Sequence, residues 1–315
     1  MKVSEGREIV LAALLLSSLL LSSLLPSSAL ATYSLIAVDP ARGEVGAAGA
    51  SCVPYEVIRI YESASGRGAL VAQANFDDDA QAQGLALLEA DALAVDVLAA
   101  LTDIGAHPLA PKMQYGVVDV FGGVATVTGS DALAVATDQQ RSVGDLRAAA
   151  LGNVLTSQKA LQQALDGFED SGCDLAERLM VGLEAADDGG EGDSRCTSEG
   201  RPANSAFLDV TGPEGTLVRI SIPDVSPGSP IPALRSELEL WRSEHPCPQP
   251  LGGAGGSSGY GGAGTAGSGA VPSDDGCSCH SAPPEPLSST GWLFALSLAG
   301  ATARSRWPRR QRGQS

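Results

Sequence analysis

The stretch Ala29-Leu30-Ala31-Thr32-Tyr33-Ser34-Leu35-Ile36-Ala37-Val38-Asp39-Pro40 decides the fold. Its left half closes an export leader. Residues 1–31 carry Lys2 and Arg7, an apolar run over 9–25, Pro26, and small residues up to the A-x-A cleavage site at Ala29-Leu30-Ala31. Its right half is an apolar strand over 33–38 that enters the turn Asp39-Pro40-Ala41-Arg42-Gly43 and returns over 44–51. A cut after Ala31 leaves Thr32 as the first residue, at the head of this hairpin. A threonine at a free N-terminus carries its own base. The α-amino group, of ordinary pKa about 7.7–8.0, can take the hydroxyl proton. Thr32 is therefore the candidate nucleophile.

Outward from the hairpin, residues 68–75 read as a third strand buried on both faces. Helical spacing follows over 80–89 and 92–104, with Leu85, Leu88, Leu93, Val97 and Leu101 facing inward. The run Asp77-Asp78-Asp79 suits the cap of the first of these helices, where negative charge meets a helix N-terminus. Residues 115–119 and 123–128 form a hairpin about Phe121-Gly122. Two more helices are predicted over 157–168, ending near Gly167, and over 174–185, and a last hairpin over 205–210 and 216–222 about Pro213-Glu214-Gly215. Hairpins alternating with helix pairs imply an α+β fold, a four-layer αββα sandwich of two antiparallel sheets with helices outside.

The 315-residue chain has a net charge of −17, although five arginines (Arg304, Arg306, Arg309, Arg310 and Arg312) crowd its last dozen residues. The part before them is more acidic still, which disfavours nucleic acid as a partner. Six cysteines in an exported chain permit disulfides. Cys173 and Cys196 flank the acidic loop 187–193 and are predicted to pair across it, leaving the pairing of Cys52 and Cys247 undecided. The three histidines, His107, His245 and His280, are scattered, so neither a zinc site nor a Ser-His-Asp triad is expected. No phosphate-cradling loop is present, and no cofactor is called for.

The expected organisation is a leader over 1–31, a folded domain over 32–246, a Gly/Ser/Pro-rich linker over 247–276, and a terminal region over 277–315. The linker composition behaves as a slack tether. The terminal region begins with Gly276-Cys277-Ser278-Cys279, continues as a short apolar segment over 287–303, and ends in the arginines. An apolar stretch of about 17 residues just reaches bilayer length, and the arginines favour the cytoplasmic side. This order resembles the C-terminal sorting signal of myxobacterial surface proteins. The resemblance implies processing near Cys277 or Cys279 and a cell-surface or outer-membrane location, held to the membrane through this segment.

The segments 33–40, Gly43-Glu44-Val45-Gly46 and Ala50-Ser51 resemble the opening of the Ntn-hydrolase-like family catalogued as domain of unknown function 1028. Further matches keep their order: Ala72-Gln73-Ala74, Gly84-Leu85-Ala86-Leu87-Leu88, Tyr115-Gly116-Val117-Val118-Asp119, Thr128-Gly129, Gly152-Asn153-Val154-Leu155, Ala176-Glu177-Arg178-Leu179 and Gly192-Asp193-Ser194-Arg195. The resemblance implies a nucleophile at the start of the first strand and no settled reaction. Two departures stand out. Asn204-Ser205 replaces Gln-Ser, and the arginine-rich loop is diluted to Arg195 and Arg201 with Cys196 inserted.

In the mechanism that Thr32 suggests, its hydroxyl attacks an amide or peptide-like carbonyl, and Asn75 and Asn153 are the candidate donors to the oxyanion. Arg195 and Arg201 are candidates to grip a substrate carboxylate. Asp39 is a candidate to orient the amine or bind substrate, against its ordinary role of starting a turn. Cys52 is a minor rival nucleophile. A small amide substrate is the expected partner, and the sequence also admits a homo-oligomer. The competing reading is a non-catalytic surface domain, binding or structural, that keeps the fold without the chemistry.

Overall fold

The computed structural model describes residues 32–247, apart from 171, 198 and 226. The leader, the linker beyond 247, the cysteine motif, the apolar segment and the arginine tail lie outside the described residues.

The first hairpin forms as the sequence predicts. β1 (Thr32–Asp39) and β2 (Glu44–Ser51) pair antiparallel, Thr32 opposite Ser51 and Asp39 opposite Glu44. Both strands are almost wholly buried because both faces are covered, so they read as continuous apolar runs. Next come β3 (Tyr61–Ala64) and β4 (Gly68–Gln73), then helices α1 (Asp78–Glu89) and α2 (Ala94–Leu101). Asp77 caps α1 by accepting from the Ala80 amide, as the acidic run suggested. β5 (Gln114–Asp119) and β6 (Val124–Thr128) make the second hairpin.

Two strands follow that the sequence reading left out, β7 (Thr137–Val143) and β8 (Leu146–Asn153). Helices α3 (Lys159–Asp170) and α4 (Leu175–Asp187), the one-turn helix α5 (Ser194–Thr197), the hairpin β9 (Ser205–Gly212) and β10 (Gly215–Ile222), and helix α6 (Pro230–Glu244) complete the order.

The strands form two antiparallel sheets, one in the order β10-β9-β2-β1-β8-β7 and the other β3-β4-β5-β6. Alternation along β1 divides its neighbours. Tyr33, Leu35 and Ala37 pack with Leu161, Phe168, Leu179 and Leu183 of α3 and α4, and with Leu234 and Leu238 of α6. Ile36 and Val38 turn the other way and meet Ala69, Val71 and Val118 of the second sheet. The outer face of that sheet carries Leu70, Tyr115 and Val117 against Leu88, Val97 and Leu101 of α1 and α2. Helices therefore cover both outer faces and the sheets meet within, an α+β sandwich as expected. Burying each large apolar side chain contributes roughly 1.5–3 kcal/mol.

Helix α3 does not stop at Gly167. A Cβ there would lie 2.7 Å from the Ala185 Cβ, and one on Gly182 would lie 2.6 Å from Leu35 Cδ2. These glycines let α3 and α4 approach each other and the sheet, so Gly167 serves packing rather than termination. Along one side the two sheets are stitched by hydroxyls: Thr126 and Thr128 of β6 both donate to Asp138 of β7, each at 2.6 Å.

The predicted Cys173–Cys196 bridge is not the one formed. Cys52 is bonded to Cys196 and Cys173 to Cys247. The reason is topological. Cys52 follows β2 and meets α5 at one end of the six-stranded sheet, whereas Cys173 lies before α4 and meets the chain just after α6. Cys52 is thereby consumed as a disulfide and is no rival nucleophile.

Candidate active site

Four polar residues lie in one row across the large sheet. Thr32 stands opposite both Asn153 of β8 and Ser51 of β2, and Ser51 stands opposite Ser205 of β9. Directly paired residues of antiparallel strands project to the same face. That face is the one between the sheets, since Ile36 and Val38 lie an even number of residues along β1 from Thr32. The second sheet answers with Gln73 of β4 and Gln114 of β5, themselves a register pair. One end of an otherwise apolar interior is thus lined with hydroxyls and amides, all buried, with Thr32 at 2 % exposure.

The groups are knit together. The Thr32 hydroxyl donates to Ser51 Oγ at 3.2 Å, and the Ser34 hydroxyl donates to Gln73 Oε1 at 2.7 Å. Gln73 Nε2 reaches the Thr32 carbonyl at 3.4 Å and Gln114 Oε1 at 3.1 Å. Asn153 Nδ2 donates to the same Gln114 oxygen at 3.0 Å. Gln114 Nε2 in turn faces Gly152 O at 2.9 Å, Thr128 Oγ1 at 3.0 Å and Thr137 O at 3.1 Å. Asn153 Oδ1 is buried with no partner among the described residues.

The backbone leaving this end is strained in two places. Ala74, directly after Gln73, has φ 75°, and Val154, directly after Asn153, has φ 52°. A left-handed backbone is a marked outlier for a β-branched residue. Such strain costs about 1–3 kcal/mol per residue and clusters where function fixes the geometry.

The sequence candidates divide. Asn153 stands opposite Thr32 in the strand register. The amide reaching Thr32 from β4 belongs to Gln73, whereas Asn75 lies half-buried beyond the strand end. Asp39 ends β1, seven residues from Thr32, or about 23 Å at strand spacing. It cannot orient the Thr32 nitrogen. Its carboxylate caps the turn instead, accepting from the Ala41 amide at 3.0 Å, because the hairpin reverses there.

Arg195 binds the fully buried Asp193, with its NH2 nitrogen 2.8 Å from Oδ2 and Nε 3.1 Å from Oδ1. Asp193 also accepts from the Cys52 amide at 2.8 Å, next in chain to Ser51. The acidic loop is therefore fastened beside the polar row by a carboxylate as well as by a disulfide. Arg201 pairs with Glu199 and lines a separate cleft of about 180 Å³ with Asp187, Glu191, Thr197 and Pro202.

In that cleft, burial and the neighbouring Asp188 charge raise the Asp187 carboxyl to about 6. A raised folded value means the protonated form is favoured by folding. The associated stability is complete below the ordinary carboxylate range, near pH 4, and is lost as pH rises through about 6. We expect Asp187→Asn to lower the difference in melting temperature between pH 4 and pH 7 relative to the parent chain. An unchanged difference would show that Asp187 does not titrate in this way. Burial, with the Asp187 and Asp193 charges behind it, also pushes the Tyr33 phenol well above its usual value, so it stays neutral on the helix side of β1.

No group of histidine, cysteine and carboxylate side chains suited to a metal occurs among the described residues, and no helix there is long and apolar enough to cross a membrane.

Fold and site together define an α+β sandwich with a buried polar row at the head of its central strand. The chain belongs to the family of unknown function DUF1028, whose model matches residues 32–234. A crystal structure of a Silicibacter pomeroyi protein carrying the same family label is similar at a TM-score of 0.56 and 22 % identity. That match covers 67 % of this chain and 86 % of the other. At that identity the likeness speaks for the fold alone. No curated protein matches.

Proposed function

We propose that this chain is an N-terminal-nucleophile hydrolase of a small amide or peptide-like bond, with Thr32 as the nucleophile once the Ala31–Thr32 bond is cut. One observation carries the reading: Thr32 sits at the centre of a buried, hydrogen-bonded polar row flanked by left-handed backbone at Ala74 and Val154. Cutting the bond turns a peptide nitrogen into an amine with several donors. Asn153, its register partner across the strands, offers an unpartnered Oδ1 as an acceptor for that amine. The amine then accepts the hydroxyl proton as Oγ1 attacks the carbonyl. Gln73 Nε2, which reaches the Thr32 carbonyl, and Asn153 Nδ2 are the side-chain donors assigned to the developing oxyanion in this reading.

A second reading rests on the burial of Thr32 and on its hydroxyl already serving Ser51. On that basis the domain is a non-catalytic scaffold. Mass spectrometry of the mature protein, followed by treatment with a β-lactone probe, separates the two. Hydrolase chemistry requires a chain beginning at Thr32 and close to one label per molecule on that residue. A chain beginning elsewhere, or an unlabelled Thr32, overturns it in favour of the scaffold.

The layout of leader, domain, tether and terminal segment supports an exported protein held at the cell surface. Fractionation of cells making the full chain tests this, with recovery in the cytosol as the contrary result.

A further inference from the structure

The end of the sandwich that holds Thr32 also carries an unusual cation. Arg59 is exposed, on a 3-10 turn (Val57–Ile60) whose backbone is fixed to α1 by the Gln81 side chain donating to Arg59 O at 2.9 Å. Its guanidinium lies 3.7 Å from the centroid of the Phe76 ring and 5.8 Å from that of Tyr55. The two rings are 6.5 Å apart. In a chain of net charge −17 an arginine has many carboxylates to choose from. Yet among the described residues no carboxylate pairs with Arg59. Glu56 and Glu62, which line a cleft with it, form no ion pair with it either.

Both rings are tethered to the polar row. Tyr55 comes four residues after Ser51 and Phe76 three after Gln73, so their Cα atoms lie at most about 14 Å and 11 Å from the Cα atoms of the two residues whose side chains touch Thr32. A guanidinium anchored over a ring through its carbon leaves N–H donors available, and the fork of donors is the geometry that grips a carboxylate with two bonds.

We infer that Arg59, held over Phe76 with Tyr55 beside it, is the specificity residue of the Thr32 site and selects substrates that carry a carboxylate a few bonds from the amide to be cut. This rests on the hydrolase reading for the word substrate, but the binding it requires can be measured without turnover. The probe is glutaramate, which has an amide at one end and a carboxylate at the other. Its control is glutaramide, equal in shape and uncharged. Each is titrated calorimetrically into Thr32→Ala, which cannot turn the probe over, and into the same variant carrying Arg59→Ala, Arg59→Lys or Phe76→Leu.

The expected result is saturable glutaramate binding at least about tenfold tighter than glutaramide binding. Arg59→Ala should lose that preference. Arg59→Lys and Phe76→Leu should keep part of it. Because Arg59 is exposed, an unchanged melting temperature in Arg59→Ala confirms that the variant is folded. Equal binding of the two probes, no binding of either, or a preference that survives Arg59→Ala overturns the inference. Failure of the nucleophile would appear separately, as an unlabelled Thr32 in a mature protein whose Thr32→Ala variant still prefers glutaramate.

Discussion

Replacing Gln114 with leucine is expected to destabilise the protein by about 4 kcal/mol and to lower its melting temperature by about 10 °C. The size follows from what the amide serves. Its oxygen accepts from both Gln73 and Asn153, and its nitrogen, with two protons, is shared among Gly152 O, Thr128 Oγ1 and Thr137 O. Leucine matches the volume, yet it leaves two buried amide donors without an acceptor, each at roughly 1–3 kcal/mol. The exchange also frees Gln73 and Asn153 to turn, and these are the side chains flanking Thr32. Denaturant unfolding of parent and variant measures the loss. A change below about 1 kcal/mol would mean that water replaces the missing amide, and so that the polar end is wet rather than dry.

The second large effect is expected at Asp193. This carboxylate is fully buried, and it receives the Cys52 amide and the Arg195 guanidinium together. Removing one partner of a buried ion pair costs about 3–5 kcal/mol when the other charge is trapped. Arg195 is one-third exposed, with 33 % of its side chain open to solvent, and can turn outward. The lower figure therefore applies, about 3 kcal/mol for Asp193→Ala, or about 6–12 °C in melting temperature. Asp193→Asn retains an acceptor for the Cys52 amide and should lose distinctly less. Equal losses in the two variants would show that the charge, rather than the amide contact, fastens the loop.

Much of the fold could be read from local chemistry because the chain marks its reversals with strong turn residues. Asp39-Pro40, Phe121-Gly122 and Pro213-Glu214-Gly215 each sit between apolar runs and each closes a hairpin. The strands that escaped lack that contrast. β7 reads Thr-Asp-Gln-Gln-Arg-Ser-Val, polar on both faces, and it is a strand only because β8 lies beside it. β8 itself holds Ala148-Ala149-Ala150, a composition equally at home in a helix, and becomes a strand by pairing with β1.

At the site, Thr32 was legible from the cleavage site before it and Asn153 from the motif Gly152-Asn153-Val154-Leu155. Gln73 and Gln114 were not singled out, since each is one amide at the end of an apolar strand, and only the facing of the two sheets gives it work. For Gln73, a long amide inside a segment read as buried on both faces was the signal available, whereas Gln114 stands just before the strand read over 115–119. The disulfides were beyond local reasoning. Cys52 and Cys196 are separated by 144 positions, and nothing near either names the other.

The Cys173–Cys247 bridge has a mechanical consequence. Cys247 follows α6 directly, and it is joined covalently to the loop before α4, where Arg242 of α6 also grips Asp174. Any tension applied to the chain beyond residue 247 is thus delivered to the α3–α4 connection before it can peel α6 from the sheet. Thr32 lies at the other end of β1 from the Asp39 turn, whose Asp39 and Arg42 share a cleft with Cys173. A pull on the tail would therefore load the side of the domain away from Thr32.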